Sequence, residues 1–66
     1  MDHESLIGYE GKKVKLVLQN NFWYKAKIIS VKKDCIQFIE LKGFTVSVHP
    51  STIMMIEEIK QDDWNT

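Results

Sequence analysis

The chain has 66 residues, nine basic and nine acidic side chains, and a single cysteine. This length predicts one domain, and 44% hydrophobic with 27% charged residues is typical of a folded chain rather than a disordered one. No apolar run approaches the roughly 18 residues of a membrane span. The polar start does not resemble a signal peptide, and Cys35 cannot form an internal disulfide. We therefore expect a cytoplasmic protein.

Charge is unevenly distributed along the chain. Residues 11–33 contain seven of the nine lysines and no acid, whereas four of the nine acids lie in the last ten residues. There is no arginine. The basic half favours attraction to a polyanion, and the acidic end opposes strong non-specific binding to one.

Residues 11–59 read as a β-meander, because short apolar runs alternate with turns too short for a crossover helix. A helical turn within residues 4–10 precedes them. Strands are predicted at residues 13–19 and 22–31, then in CIQFIEL and FTVSVH, and finally at 53–59, after a tight turn at His49-Pro50-Ser51-Thr52. A polar tail, residues 60–66, follows and includes Trp64.

The register of the first hairpin can be predicted from its apolar face. A two-residue turn at Asn20-Asn21 sets lysines opposite core leucines. A three-residue loop, 20–22, instead sets Leu16 opposite Ala26 and keeps one face apolar. We therefore predict the longer loop, with an asparagine in the left-handed region.

The third turn, Lys42-Gly43, predicts a two-residue hairpin that pairs Ile39 with Val46. The second and third strands are also apolar on both faces, near Ile28, Ile29 and Phe38. A strongly bent sheet that curls on itself can use both faces of a strand. The predicted fold is thus all-β, a five-stranded, strongly bent SH3-like barrel.

Two sequence motifs carry a family resemblance. The first is Val14-Lys-Leu16-Val-Leu18, a loop, then Ala26-Lys-Ile28. The second is Val46-Ser-Val48-His49-Pro-Ser-Thr-Ile53-Met-Met-Ile56. Over residues 11–59 this pattern resembles the Sm-like family of small β-barrels (Sm, LSm and Hfq proteins). The residues that hold a nucleobase in that family are not matched here, since Lys32-Lys33-Asp34 and His49-Pro50 occupy the corresponding loops.

The resemblance implies a homo-oligomer that binds RNA, in which the fourth strand of one copy pairs with the fifth strand of the next. The interface residues would then be Val46, Val48, Met54, Met55 and Ile56. Apolar residues in excess of one small core also favour a partner. The alternative is that the N-terminal segment (Leu6, Ile7, Tyr9) covers this surface within one chain.

A lysine and aromatic face on the first hairpin is the candidate nucleic-acid site. Aromatic rings stack on bases and lysines meet phosphates, and His49 would add a contact from a loop. The alternative is a solvated lysine face, with Tyr24 in the core, Phe22 over the loop and His49 bonded to local backbone. The candidate binding residues are Lys13, Lys15, Trp23, Lys25, Lys27 and His49.

No catalytic or cofactor motif is visible in the sequence. Asp34, His49 and Ser51 lack the surroundings of a catalytic triad, and Cys35 with His49 offers too few ligands for zinc. We therefore expect a non-enzymatic RNA-binding module without a cofactor. The alternative function is a protein-interaction adaptor that docks by an apolar strand edge and binds no nucleic acid.

Overall fold

A computed structural model describes residues 1–60. The predicted tail lies outside the described residues, apart from Lys60. In chain order the elements are α1 (His3–Ile7), β1 (Lys13–Leu18), β2 (Trp23–Val31), β3 (Ile36–Glu40), β4 (Thr45–Val48), a 3₁₀ helix (Pro50–Thr52) and β5 (Ile53–Glu58).

The five strands form one antiparallel sheet in the order β4-β3-β2-β1-β5. The predicted all-β class and strand number are confirmed. The predicted barrel is not formed, because within residues 1–60 the sheet is open and β4 and β5 are its two edges. The 3₁₀ helix carries the chain from one edge to the other, and Gln19 ties it to the end of β1 through an N–H···O bond of 2.9 Å to Thr52.

The first hairpin has a three-residue loop, but not the one predicted. Leu18 N–H donates to the Phe22 carbonyl oxygen at 2.8 Å, so the loop is residues 19–21 and Leu16 pairs with Tyr24 instead of Ala26. The shift is two residues, which leaves the same side chains on the apolar face. Asn21 has φ of 67°, so the predicted left-handed asparagine is confirmed.

The third hairpin corrects the predicted two-residue turn. Glu40 N–H donates to the Phe44 carbonyl oxygen at 2.9 Å, which closes a three-residue loop with Gly43 at φ of 97°. Ile39 therefore pairs with Thr45, and Val46 pairs with Phe38. A type I turn followed by a left-handed glycine fits this loop and places Phe38 and Val46 on the core face.

Two β-bulges explain why β2 is apolar on both faces. Ile29 is the extra residue in β2, and Met54 is the extra residue in β5. A bulge bends its strand and increases the local twist. Ile28 is consequently buried while Ile29 remains exposed, so the second apolar face belongs to a bend rather than to a second closed layer.

The core lies on one side of the sheet and receives side chains from α1 and from β1, β2, β3 and β5. Among residues 1–60, no polar or charged residue falls in the buried class. Tyr9, Tyr24, Val31, Val46 and Val48 are half-buried against this cluster. The buried hydrophobic residues are Leu6, Val14, Leu16, Leu18, Ala26, Ile28, Ile36, Phe38, Ile53 and Ile56.

The helix α1 begins at an Asp2 cap whose carboxylate accepts the Ser5 N–H at 3.0 Å. Hydrogen bonds from the Ser5 hydroxyl and backbone lower the pKa of Asp2 below its ordinary value. The helix buries Leu6 and leaves Ile7 half-exposed. In the described part of the chain no helix has the length and apolar character needed to cross a bilayer.

Candidate nucleic-acid interface

The solvent-facing side of the β1–β2 hairpin carries four lysines in a square. Lys13 pairs directly with Lys27, and Lys15 pairs directly with Lys25. Like charges in directly opposed positions destabilise an antiparallel pair. Such an arrangement costs folding stability, and an anionic ligand that neutralises the lysines would relieve that cost.

Acidic side chains approach the square from one side. On β5, Glu57 pairs with Lys15, and Glu58 lies 3.4 Å from the Lys12 ammonium in an ion pair that is about half exposed. An ion pair this exposed contributes little. Since β1 and β2 themselves carry no acid, the basic character of the face increases from β5 toward β2.

Trp23 extends the lysine square with an exposed aromatic ring. It pairs with Val17 on the same face of the sheet and is 58% exposed. The Lys15 ammonium lies 5.3 Å from the centroid of the Trp23 ring, within cation–π range. The hairpin therefore presents cations and a flat apolar ring side by side.

The other two aromatics of the Phe22-Trp23-Tyr24 run do not join this face. Tyr24 points to the core side, where its ring centroid is 5.5 Å from that of Phe38. Phe22 is exposed at the end of the loop, and its N–H donates to the Asn20 side chain at 3.0 Å. Strand alternation thus assigns one aromatic of the three to the lysines.

His49 is not brought together with the lysine square. It precedes the 3₁₀ helix, where its Nδ1 accepts the Ser51 N–H at 3.1 Å and lies 2.8 Å from the Ser51 hydroxyl. The alternative interpretation of His49 predicts this bonding to local backbone. The bonding engages Nδ1, the ring nitrogen nearer the backbone. His49 thus has its Nδ1 atom engaged within its own turn, and its part in binding stays a prediction.

The residues expected at an oligomer interface divide into two groups. Met54 and Met55 are exposed on edge strand β5. Val46 and Val48 on edge strand β4 are half-buried against the core, and Ile56 is part of the core itself. Of the residues expected at the interface, the two methionines are thus the ones whose side chains are exposed on β5. Contacts through β4 would be made by its backbone.

Glu40 is a site residue that the sequence reading did not single out. It follows Ile36 and Phe38 on the core-facing side of β3, and its Oε1 is buried without a hydrogen-bond partner. It lines a depression of about 250 Å³ together with Trp23, Tyr24, Lys25, Leu41 and Lys42. The available signal was period-two alternation, which places one acid on an otherwise apolar face.

Among residues 1–60 there is no group of three or more His, Cys, Asp or Glu side chains placed to hold a metal ion. Cys35 is a free, half-buried thiol. Comparison with known proteins gives no matching family model and no matching curated sequence. The lysine square and Trp23 therefore form the candidate functional site.

Proposed function

We propose that this protein is a small, non-enzymatic module that binds single-stranded nucleic acid, with RNA as the expected ligand, through the β1–β2 hairpin. The observation that carries the proposal is the square of Lys13, Lys15, Lys25 and Lys27 beside the exposed ring of Trp23. Directly opposed lysines destabilise the folded hairpin. A bound anion would stabilise a face that holds two such pairs more than water does.

A single strand suits this face better than a duplex. An exposed indole can stack on a base only where the base is unpaired, and stacking contributes comparably for every base. The lysines follow the strands for two positions on either side of the hairpin, so they track a backbone rather than a single phosphate. The expected binding is electrostatic, with one stacked base at Trp23.

The test is a charge reversal with a matched control. Lys25→Glu with Lys27→Glu removes one column of the square and should abolish binding of a labelled single-stranded RNA, measured by fluorescence anisotropy. Lys32→Glu with Lys33→Glu makes the same change in net charge in the β2–β3 turn and should leave most of the affinity. An equal loss of RNA affinity in the two variants, or no loss in either, would contradict the assignment of the site to the hairpin.

We further propose that copies of the chain assemble through the sheet edges, as the resemblance to Sm-like proteins implies. The open sheet supports this, because β4 and β5 each leave one side of their backbone without a strand partner within residues 1–60. Unpaired edges are templates for strand addition. Exposed Met54 and Met55 add apolar surface at one of the two edges.

A protein-interaction adaptor is the second candidate function. Exposed Ile29, Ile39 and Leu41 on β2, β3 and the following turn, together with the β5 methionines, supply apolar surface for a protein partner. Salt distinguishes the two functions, because phosphate contacts weaken steeply as salt rises and apolar docking does not.

A further inference from the structure

The lysine square has apolar neighbours on its β3 side. Ile39 of β3 pairs directly with Lys27. Leu41 donates its N–H to the Lys25 carbonyl oxygen at 2.9 Å, which continues the same register and sets Leu41 opposite Lys25. Both apolar side chains are exposed. Because directly opposed residues lie on the same face of a sheet, Ile39 and Leu41 stand beside the two lysines of β2.

Trp23 continues this apolar border toward the tip of the hairpin. It lies two residues before Lys25 on β2, so Trp23 and Leu41 are diagonal neighbours across the two strands, a separation that an aromatic side chain can span. The two residues also line one depression together with Lys25. Trp23, Leu41 and Ile39 are called the apolar margin below.

The opposite border of the square is acidic. On β5, Glu57 pairs with Lys15, and the carboxylate of Glu58 lies 3.4 Å from the Lys12 ammonium. These carboxylates repel phosphate, whereas apolar side chains favour the uncharged ring faces of bases. The charge pattern therefore orients a bound strand, with its phosphates over the lysines and its bases toward β3 rather than toward β5.

The spacing along β2 suits successive nucleotides. Alternate residues of a strand are about 6.6–6.8 Å apart, so Lys25 and Lys27 can meet phosphates that follow one another in an extended single strand. Leu41 and Ile39 repeat at the same spacing on β3. Each lysine of β2 thus has one apolar neighbour, just as each phosphate of a single strand has one base.

From these features we infer that the apolar margin is the base-binding half of the nucleic-acid interface. The strand runs along β2, with phosphates on Lys25 and Lys27, bases on Leu41 and Ile39, and a further base stacked on Trp23. This inference rests on the proposed function and adds to it a path for the strand. Apolar side chains offer no hydrogen bond to a base edge, so the margin binds bases without selecting among the four.

The experiment compares two strands that carry the same number of phosphates, oligouridylate and an abasic ribose–phosphate strand of equal length. Wild-type protein should bind oligouridylate at least about tenfold more tightly, as the loss of stacked bases predicts. Ile39→Thr and Leu41→Thr keep a good strand former at an exposed site, and each should lower this ratio by about fourfold, the worth of one buried methylene. Their affinity for the abasic strand should stay unchanged.

The matched control is Ile7→Thr, which makes the same substitution at an exposed position on α1 and should keep the ratio of the wild-type protein. A second measurement uses the wild-type protein alone. Bound oligouridylate should shift the methyl signals of Ile39 and Leu41 in a ¹H–¹³C spectrum and leave those of Ile7 in place. The abasic strand should move none of these methyl signals.

Three results would overturn the inference. Equal affinity for the two strands, or a preference for oligouridylate that survives both Ile39→Thr and Leu41→Thr, would do so and leave phosphate binding by the lysines standing. Methyl signals that stay in place when oligouridylate binds would assign the margin to a protein partner instead. Absence of binding to either strand would overturn the proposed function as well.

Discussion

Trp23 has a position in this fold that its neighbours do not share. Strand alternation directs Tyr24 into contact with Phe38, and the loop places Phe22 at the tip of the hairpin, so only Trp23 stands beside the lysines. The residue is 58% exposed, and its ring makes a cation–π contact with Lys15. The side chain adds little to the core, which leaves its ring accessible to a ligand in solution.

Trp23→Ala should therefore weaken RNA binding without unfolding the protein. Loss of one stacked base costs about 1–3 kcal/mol, or roughly five- to 150-fold in affinity. Phe44→Ala, which removes an exposed aromatic ring from the β3–β4 hairpin instead of the β1–β2 hairpin, is the matched control and should bind normally. Anisotropy titrations together with thermal melts would check this. A Trp23→Ala protein with wild-type affinity would remove the indole from the site.

At the level of elements, the β1–β2 hairpin combines two opposing requirements. Its apolar face supplies Val14, Leu16, Ala26 and Ile28 to the core, whereas its outer face pairs lysine with lysine twice. The first favours folding and the second opposes it. This conflict between local stability and surface charge is typical of a functional face.

Lys27→Glu should make the protein more stable while it weakens RNA binding. The change converts the Lys13–Lys27 pair into one of opposite charge, which is worth about 0.2–1 kcal/mol and a melting temperature higher by a few degrees. Lys33→Glu, in the β2–β3 turn with no lysine opposite, should change stability less. The melting temperatures of the wild-type, Lys27→Glu and Lys33→Glu proteins at low salt would test this prediction. A lower melting temperature for Lys27→Glu would mean that the paired lysines are not in conflict.

The alternation of residues 13–31 was sufficient to predict which side chains of the first hairpin face the core, because a loop error of two residues preserves every face. Alternation was not sufficient to predict the register of the third hairpin. Two- and three-residue loops around Lys42-Gly43 are both chemically reasonable, and the one-residue difference moves Ile39 and Val46 out of register. Alternation along β3 places Glu40 on the core-facing side, whereas the burial of its carboxylate oxygen depends on tertiary packing.

At the scale of the molecule, the decisive feature is that the sheet of residues 1–60 is open, and the 3₁₀ helix connects its edge strands β4 and β5 in the chain. The sequence predicted the strand count and the bends. It could not predict closure, since whether β4 meets β5 within one chain, between chains or not at all depends on the geometry of two bulges.

Assembly through the edges predicts that the wild-type chain is an oligomer in solution. The double substitution Met54→Lys, Met55→Lys adds two charges to the β5 edge. It should shift the oligomer toward the monomer, because charged edge residues block strand pairing. Ile7→Lys, on the exposed side of α1, is the control and should leave the mass of the oligomer unchanged. Light scattering behind size exclusion would measure the masses. A monomeric wild type would refute edge assembly and leave the hairpin site untouched.

The most direct measurement of the central claim is the salt dependence of affinity for a short single-stranded RNA. Each neutralised phosphate contributes about 0.7 to the slope of log affinity against log salt for single strands, so the four lysines predict a slope of up to about 3. The slope should fall in a Lys27→Ala protein, which loses one cation, and stay unchanged in Trp23→Ala. Binding that is independent of salt, or no binding at low salt, would contradict a phosphate-binding lysine square.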